Sequence, residues 1–339
     1  MGWTRQQVIP VNGPALAFSF DSTWLAIGDP TAGEVSIYER NVNGDYNFLE
    51  TVTVPSSTNF GSKIKFATTS FGYRMIVTAP NTGGTGAVYV YSFTTIWELE
   101  GPLELPPGAV GFGYDIDITN NGSTLVVSSP TADSLAGQVY VYNYTSSLYE
   151  LTQTLDSGAV LGERYGESVA ITSTGDLIAV GSASYDGEQI DQGLVRLYKL
   201  DAGEYVADQL IKNRNPEEAE SFGAKVQFIN GGVSLVVFSA FGDSITRTTF
   251  DVNSGTPTTF DSGTTSVATR NTDVGRFDIY DRYSTKFLYA ESLSVDNALG
   301  DSYGYAFAIA RQKDCCYAQH SLQRAGTLLC FDDPDEDHR

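Results

Sequence analysis

The sequence predicts an all-β chain of four-stranded antiparallel sheets, repeated six times and closed into a ring. Three observations carry this reading. Three short motifs recur along the 339 residues, each alternates apolar and polar positions with period two, and the two chain ends are complementary fragments of one repeat. The composition agrees. Of the residues 41% are hydrophobic and 12% aromatic, and 34 glycines with 12 prolines supply the turns that many short strands require.

Each repeat opens with an aromatic–glycine pair leading into an alternating run: "NFGSKIKF" (59–66), "GFGYDIDI" (111–118), "RYGESVAI" (164–171), "SFGAKVQF" (221–228) and "SYGYAFAI" (302–309). The first copy, "VNGPALAF" (11–18), has Asn12 in place of the aromatic. An apolar run follows as "LAIGDP" (25–30), "MIVTAP" (75–80), "LVVSSP" (125–130), "IAVGSA" (178–183), "LVVFSA" (235–240) and a worn "CCYAQH" (315–320). The third run starts on glycine: "GEVSIYER" (33–40), "GAVYVYSF" (86–93), "GQVYVYNY" (137–144), "GLVRLYKL" (193–200), "GRFDIYDR" (275–282) and "GTLLCFDD" (326–333). A fourth apolar or aromatic stretch lies between copies, as in "YNFLETVTVP" (46–55), "IWELEGPLELP" (96–106) and "LYELTQTL" (148–155). Tight turns such as "NNG" (120–122) and "STG" (173–175) make each copy an antiparallel meander.

The glycines opening the third run, 33, 86, 137, 193, 275 and 326, are 53, 51, 56, 82 and 51 residues apart. A lone meander cannot bury both faces; packing each face on a neighbour around an axis does, and that arrangement is a β-propeller. The segment "WTRQQVIPV" (3–11) reads as a fourth strand with no first three, and 303–331 as three strands with no fourth. Pairing them closes a sixth blade and removes the exposed edges of an open array. The expected blade cores are 13–55, 61–106, 113–155, 166–210, 223–293 with an insertion at 243–274, and 303–331 plus 3–11, followed by an acidic tail, 332–339. A seven-bladed ring is the alternative, because the 82-residue interval has room for a degenerate blade.

Phe-Gly before the first strand, Gly-Asp-Pro, Thr-Ala-Pro or Ser-Ser-Pro after the second, and Gly-x-Val-Tyr-Val-Tyr together resemble the FG-GAP repeat of integrin-α-like propellers, over essentially the whole chain. The resemblance implies adhesion, receptor binding or scaffolding. It also raises calcium, which integrin-type repeats often bind through an Asp-x-Asp-x-Asp-Gly loop between the first two strands. Calcium needs several oxygen ligands converging on one loop. The turns here, 20–24, 68–74, 118–124, 172–177 and 229–234, each hold at most one carboxylate, so no cofactor is expected. The segment 245–293, with "TTFD" at 248–251 and 258–261, is similar in style to FG-GAP-like repeats in very large virion structural proteins of tailed phages.

Within that segment two β-prone arms flank "VNSG" (252–255) and read as a hairpin projecting from the fifth blade. As a recognition finger it places Arg247, Phe250, Asp251, Phe260 and Asp261 as candidate binding residues. The other reading is a strand extension packed on a neighbouring blade or subunit. Tyr89, Tyr91, Tyr140, Tyr142 and Tyr198 share equivalent positions, and with both blade faces covered they read as inter-blade packing rather than carbohydrate stacking.

Catalytic material is thin. The only histidines are His320 and His338, and His320 with Cys315 and Cys316 matches no zinc spacing. A bridge from Cys330 to one of the adjacent pair, or buried thiols in strands, are both open readings. Asp115, Asp117 and Glu167, near first-strand starts, are candidate carboxylates for an axial glycoside-cleaving site, although alternation and solvent exposure explain them equally and nothing singles out a pair. The formal charge, −21, opposes binding to a phosphate backbone and favours a solvated acidic surface. No apolar run approaches a membrane span, and the N-terminal residues do not read as a secretory signal. The expected role is therefore a non-enzymatic structural, adhesion or receptor-binding module. Its partners would be a protein or cell-surface glycan receptor, or neighbouring copies, with no nucleic acid and no membrane insertion. It would work on a virion or extracellular surface, with the cytoplasm as alternative. The alternative function is a carbohydrate-active propeller, either a lectin or a glycoside-cleaving enzyme.

Overall fold

The computed structural model describes residues 9, 13–145, 147–156, 158, 161–213, 221–242, 274–294, 314–318 and 327–331. These residues form five four-stranded antiparallel sheets and one two-stranded pair. The first sheet is β1 (Ala15–Phe18), β2 (Trp24–Asp29), β3 (Glu34–Arg40) and β4 (Tyr46–Thr53). The second is β5 (Ile64–Thr69), β6 (Gly72–Ala79), β7 (Ala87–Phe93) and β8 (Trp97–Pro102). The third is β9 (Ile116–Ile118), β10 (Thr124–Ser129), β11 (Gln138–Thr145) and β12 (Leu148–Asp156). The fourth is β13 (Ser168–Ile171), β14 (Leu177–Ser182), β15 (Leu194–Asp201) and β16 (Glu204–Lys212). The fifth is β17 (Phe222–Ile229), β18 (Ser234–Gly242), β19 (Val274–Tyr283) and β20 (Lys286–Ser294). The pair is β21 (Asp314–Ala318) and β22 (Thr327–Phe331), with Cys315 opposite Cys330.

Each sheet is an up-and-down meander in chain order, matching the four runs read from the sequence. The long interval falls within the fifth sheet: Gly242 on β18 pairs with Val274 on the adjacent β19, and 243–273 connect the two strands. That segment lies outside the described residues. So does the expected closing strand, apart from Ile9, which packs on Leu25, Ile27 and Tyr38 of the first sheet. The first strand expected for the last copy is outside them too.

Alternation assigns the two faces of a sheet to different neighbours. Val35 and Ile37 of the first sheet share a core with Phe60, Met75, Tyr89 and Tyr91 of the second. Val88 and Val90 of the second meet Phe112, Tyr140 and Tyr142 of the third. The same division joins Val139 and Val141 to Tyr165 and Tyr198, and Val195 and Leu197 to Phe222 and Tyr280. The valine face thus packs forward and the tyrosine face backward. The tyrosine row is core, as its spacing implies.

The two motif glycines explain why the repeat is written so uniformly. Phe112, Tyr165 and Phe222 donate their backbone N–H to Thr85, Ala136 and Gln192, each just before the glycine opening the preceding sheet's third run. A Cβ on that glycine, at Gly86, Gly137 or Gly193, would lie 2.1–2.2 Å from the aromatic residue's carbonyl oxygen. Only a bare α-carbon allows this approach. The glycine of the aromatic pair in turn seats against the earlier sheet, where a Cβ on Gly113 would come within 2.8 Å of Val88. The motif is an inter-sheet latch.

Two further features recur. In all five sheets the third–fourth strand register slips immediately before one tyrosine: Tyr38, Tyr91, Tyr142, Tyr198 and Tyr280. A bulge there adds local twist and disrupts the ladder next to the outermost strand. Tyrosines opening the fourth strand hook the first turn of their own sheet: Tyr46, Tyr149 and Tyr205 donate to the carbonyls of Ser22, Gly122 and Gly175 at 2.7, 2.7 and 2.6 Å. Tyr149 and Gly122 are both buried. Tyr149→Phe therefore leaves a buried carbonyl unpaired and is expected to cost about 1–2 kcal/mol, read as a lowered urea midpoint. An unchanged midpoint contradicts the hook.

Candidate functional site

The first strands lie innermost, and their alternating residues meet around an axis. Counting from the glycine of the aromatic pair, the second and fourth positions after it are Lys63 and Lys65, Asp115 and Asp117, Ser168 and Ala170, and Lys225 and Gln227. Lys65 Nζ lies 2.9 Å from the Asp117 carboxylate. Lys63 approaches Asp115 to 3.7 Å, and Lys225 approaches the same carboxylate to 3.8 Å. Lys225 stands on the fifth sheet and Asp115 beside the third, so this meeting requires the sheets to wrap an axis.

Both aspartates are also stitched to the next sheet. Asp115 accepts the Val169 N–H at 3.1 Å and Asp117 accepts the Ile171 N–H at 2.9 Å. The Asp115 N–H donates to Ser128 Oγ, and Ser168 Oγ–H donates to the Gly223 carbonyl. Burial alone pushes the Asp115 carboxyl up. Lys225, Lys63, Lys65 and the Val169 amide outweigh it and hold the group below the ordinary carboxylate range. Lys65 is held above its ordinary value, Asp117 outweighing desolvation. Lys225 goes the other way: burial, with Lys63 and Lys65 alongside, lowers it to about 7 against the pull of Asp115.

Glu167, Arg164 and Tyr114 stand at the same end of the axis. Arg164 Nε lies 3.0 Å from Glu167, yet burial raises the Glu167 carboxyl despite that cation and the amides of Ala183 and Ser184. The Tyr114 phenol is raised by burial and by Glu167. Of the carboxylates singled out from sequence, Asp115 and Asp117 are salt-bridged staples, and Glu167 is shifted toward a proton donor. The three lysines were the part the sequence reading missed. The signal was the contrast of "SKIK" and "AKVQ" with "YDID" at matching positions. Arg247, Phe250, Asp251, Phe260 and Asp261 lie outside the described residues.

Three of the first turns, where integrin-type repeats carry calcium ligands, are tied by hydrogen bonds to their acceptor side chains. Asp21 accepts from Ser19, Thr23 and the Tyr73 hydroxyl of the second sheet. Burial opposes these bonds, but they bring its carboxyl to about 2. Asn121 accepts from Thr119 and Ser123. Asp176 accepts from Thr172, Thr174 and Arg282, the last reaching over from the fifth sheet. A polar recess of about 380 Å³ lies beside Asp21, Arg40 and Asn41. The Asn41 side chain there is bonded to the Asn43 and Asp45 amides.

Comparison with solved structures finds the same architecture. A functionally unknown protein from Desulfotomaculum acetoxidans superposes with TM-score 0.61 at 10% identity, covering 92% of this chain and 80% of that one. Hydrazine synthase from Kuenenia stuttgartiensis matches at 0.58 and 14% identity, over 94% and 77% of the two chains. The periplasmic gluconolactonase of Pseudomonas aeruginosa matches at 0.51 and 13%, over 85% and 71%. The fold is a β-propeller. At these identities the likeness concerns the propeller alone. No protein-family model matches the chain, and no curated protein matches its sequence.

Proposed function

We propose that this propeller is a non-enzymatic module with a structural, adhesion or receptor-binding role, as its FG-GAP-like repeat implies, on a virion or another extracellular surface. The observation that supports this is how Asp115 and Asp117 are used. A glycoside-cleaving acid needs a carboxyl held above its ordinary range. Asp115 is held below it, and each aspartate joins a lysine of one sheet to a backbone amide of another. Groups fixed in this way stiffen a disc. A rigid disc presenting loops and an insertion suits multivalent contact with a protein or cell-surface glycan, or with further copies in an assembly. The insertion residues Arg247, Phe250, Asp251, Phe260 and Asp261 are the proposed contact points.

The carbohydrate-active reading draws on Glu167, with its raised carboxyl near Tyr114, and on a propeller neighbour named as a gluconolactonase. One experiment separates the two. The chain and an E167Q variant are assayed on sugar lactones and glycosides, and the chain is compared on a glycan array and on host cells with a version carrying a Gly-Ser linker in place of 245–272. The expected result is no turnover, with binding lost when the insertion is replaced. Turnover that disappears in E167Q overturns the non-enzymatic reading.

A further inference from the structure

We propose that the axial mouth binds one small oxyanion, a carboxylate or phosphate group, between the ammonium groups of Lys63 and Lys225. Both lysines converge on Asp115, at 3.7 and 3.8 Å, outside the roughly 2.7–2.9 Å of a charge-assisted hydrogen bond. With both lysines protonated, two cations over a single carboxylate leave one positive charge unmatched.

Among the described residues the neighbours do not supply the missing charge. Lys65 is matched by Asp117 at 2.9 Å and Arg164 by Glu167 at 3.0 Å. Lys63, Lys65, Arg164 and Lys225 against Asp115, Asp117 and Glu167 make four positive charges and three negative, a local surplus of one. The chain as a whole carries −21, so the mouth is a positive spot in a negative surface and focuses the field on small anions. The Lys63 and Lys225 side chains keep 35% and 24% of their surface exposed, so a solute reaches them. Asp115, fixed by Ser128 and Val169, sets the floor of the site. An oxyanion above it accepts hydrogen bonds from both ammonium groups and separates them.

The protonation state of Lys225 gives a second signature. Among the described residues, the charged groups acting on it are Asp115, Lys63 and Lys65, with Asp117 bound to Lys65, and Tyr114, Arg164 and Glu167 toward the mouth. Its folded pKa, near 7, lies below that of a free lysine. Binding requires the ammonium form. It is therefore strong below that value, weakens as pH rises through it, and is accompanied by proton uptake.

The full chain is titrated calorimetrically with sodium phosphate and, separately, sodium acetate, at constant ionic strength in chloride. Acetate holds one charge from about pH 6 to about pH 9 and serves for the pH arm. The expected result is one saturable site per chain for at least one anion, the tighter binder assigning phosphate or carboxylate as the natural group. Affinity falls about ten-fold or more in K225M, the loss of one charge-assisted bond, and is unchanged in K199M on the outer part of β15. No saturable binding of either anion overturns the proposal, as does equal binding by K225M. If K225M does not fold, wild-type affinity that is constant across the pH range overturns it equally. The site does not depend on whether the chain is catalytic, so its failure leaves the proposed function untouched.

Discussion

Gly137→Ala is expected to destabilise the protein by about 2–5 kcal/mol, a large fraction of the stability of many domains. Gly137 has φ +86°, a left-handed conformation that costs a side-chain-bearing residue about 1–2 kcal/mol. Its Cβ would stand 2.1 Å from the Tyr165 carbonyl oxygen and 2.6 Å from the Tyr165 nitrogen, both backbone atoms of the next sheet. Relief requires the third and fourth sheets to move apart, adding about 1–3 kcal/mol and loosening the core of Val139, Val141, Tyr165 and Tyr198. Gly203 provides the control. It has φ +94°, but nothing lies within 4 Å of its Cβ position, so Gly203→Ala is limited to the conformational term. Denaturant midpoints of the two variants decide the matter, and equal losses would refute the latch.

Asp115→Asn is the second large effect, expected at about 2 kcal/mol. Loss of one partner in a fully buried ion pair costs about 3–5 kcal/mol; the figure is smaller here because Lys63 and Lys225 remain partly in water. The amide still accepts the Val169 N–H but leaves two ammonium groups facing each other without a counter-charge. Adding Lys225→Met to Asp115→Asn should recover part of the loss, a non-additivity that a purely steric effect would not produce. The acid limb gives an independent check. Because the folded pKa of Asp115 is depressed, its stabilisation is full above the unfolded value and disappears as pH falls through the folded one. The Asp115→Asn variant should therefore lose less stability than wild type as pH falls below about 4. Parallel acid profiles would remove Asp115 from the axial network.

How far the fold was legible can be judged from individual positions. Tyr142 was readable as core because it shares a strand with Val139 and Val141 on alternate faces, and both faces of a propeller blade are covered. The turn at 120–122 was readable because Asn-Gly dictates a local backbone conformation. Asp117 shows the limit. In a two-residue period it is a polar position between Ile116 and Ile118, which reads the same whether it faces solvent or an axis. Its partner Lys65 lies in another repeat, and no local rule connects the two.

Strand positions, meander topology and the burial of both sheet faces were determined by the sequence alone, because alternation, aromatic placement and turn chemistry act within a few residues. Only the tertiary structure decided that Lys63, Asp115 and Lys225 form one cluster and that the motif glycines are contact surfaces between sheets. Those facts depend on how far each sheet is rotated about the axis relative to the last. That rotation is set by packing summed over whole interfaces, not by any residue's neighbours in the chain.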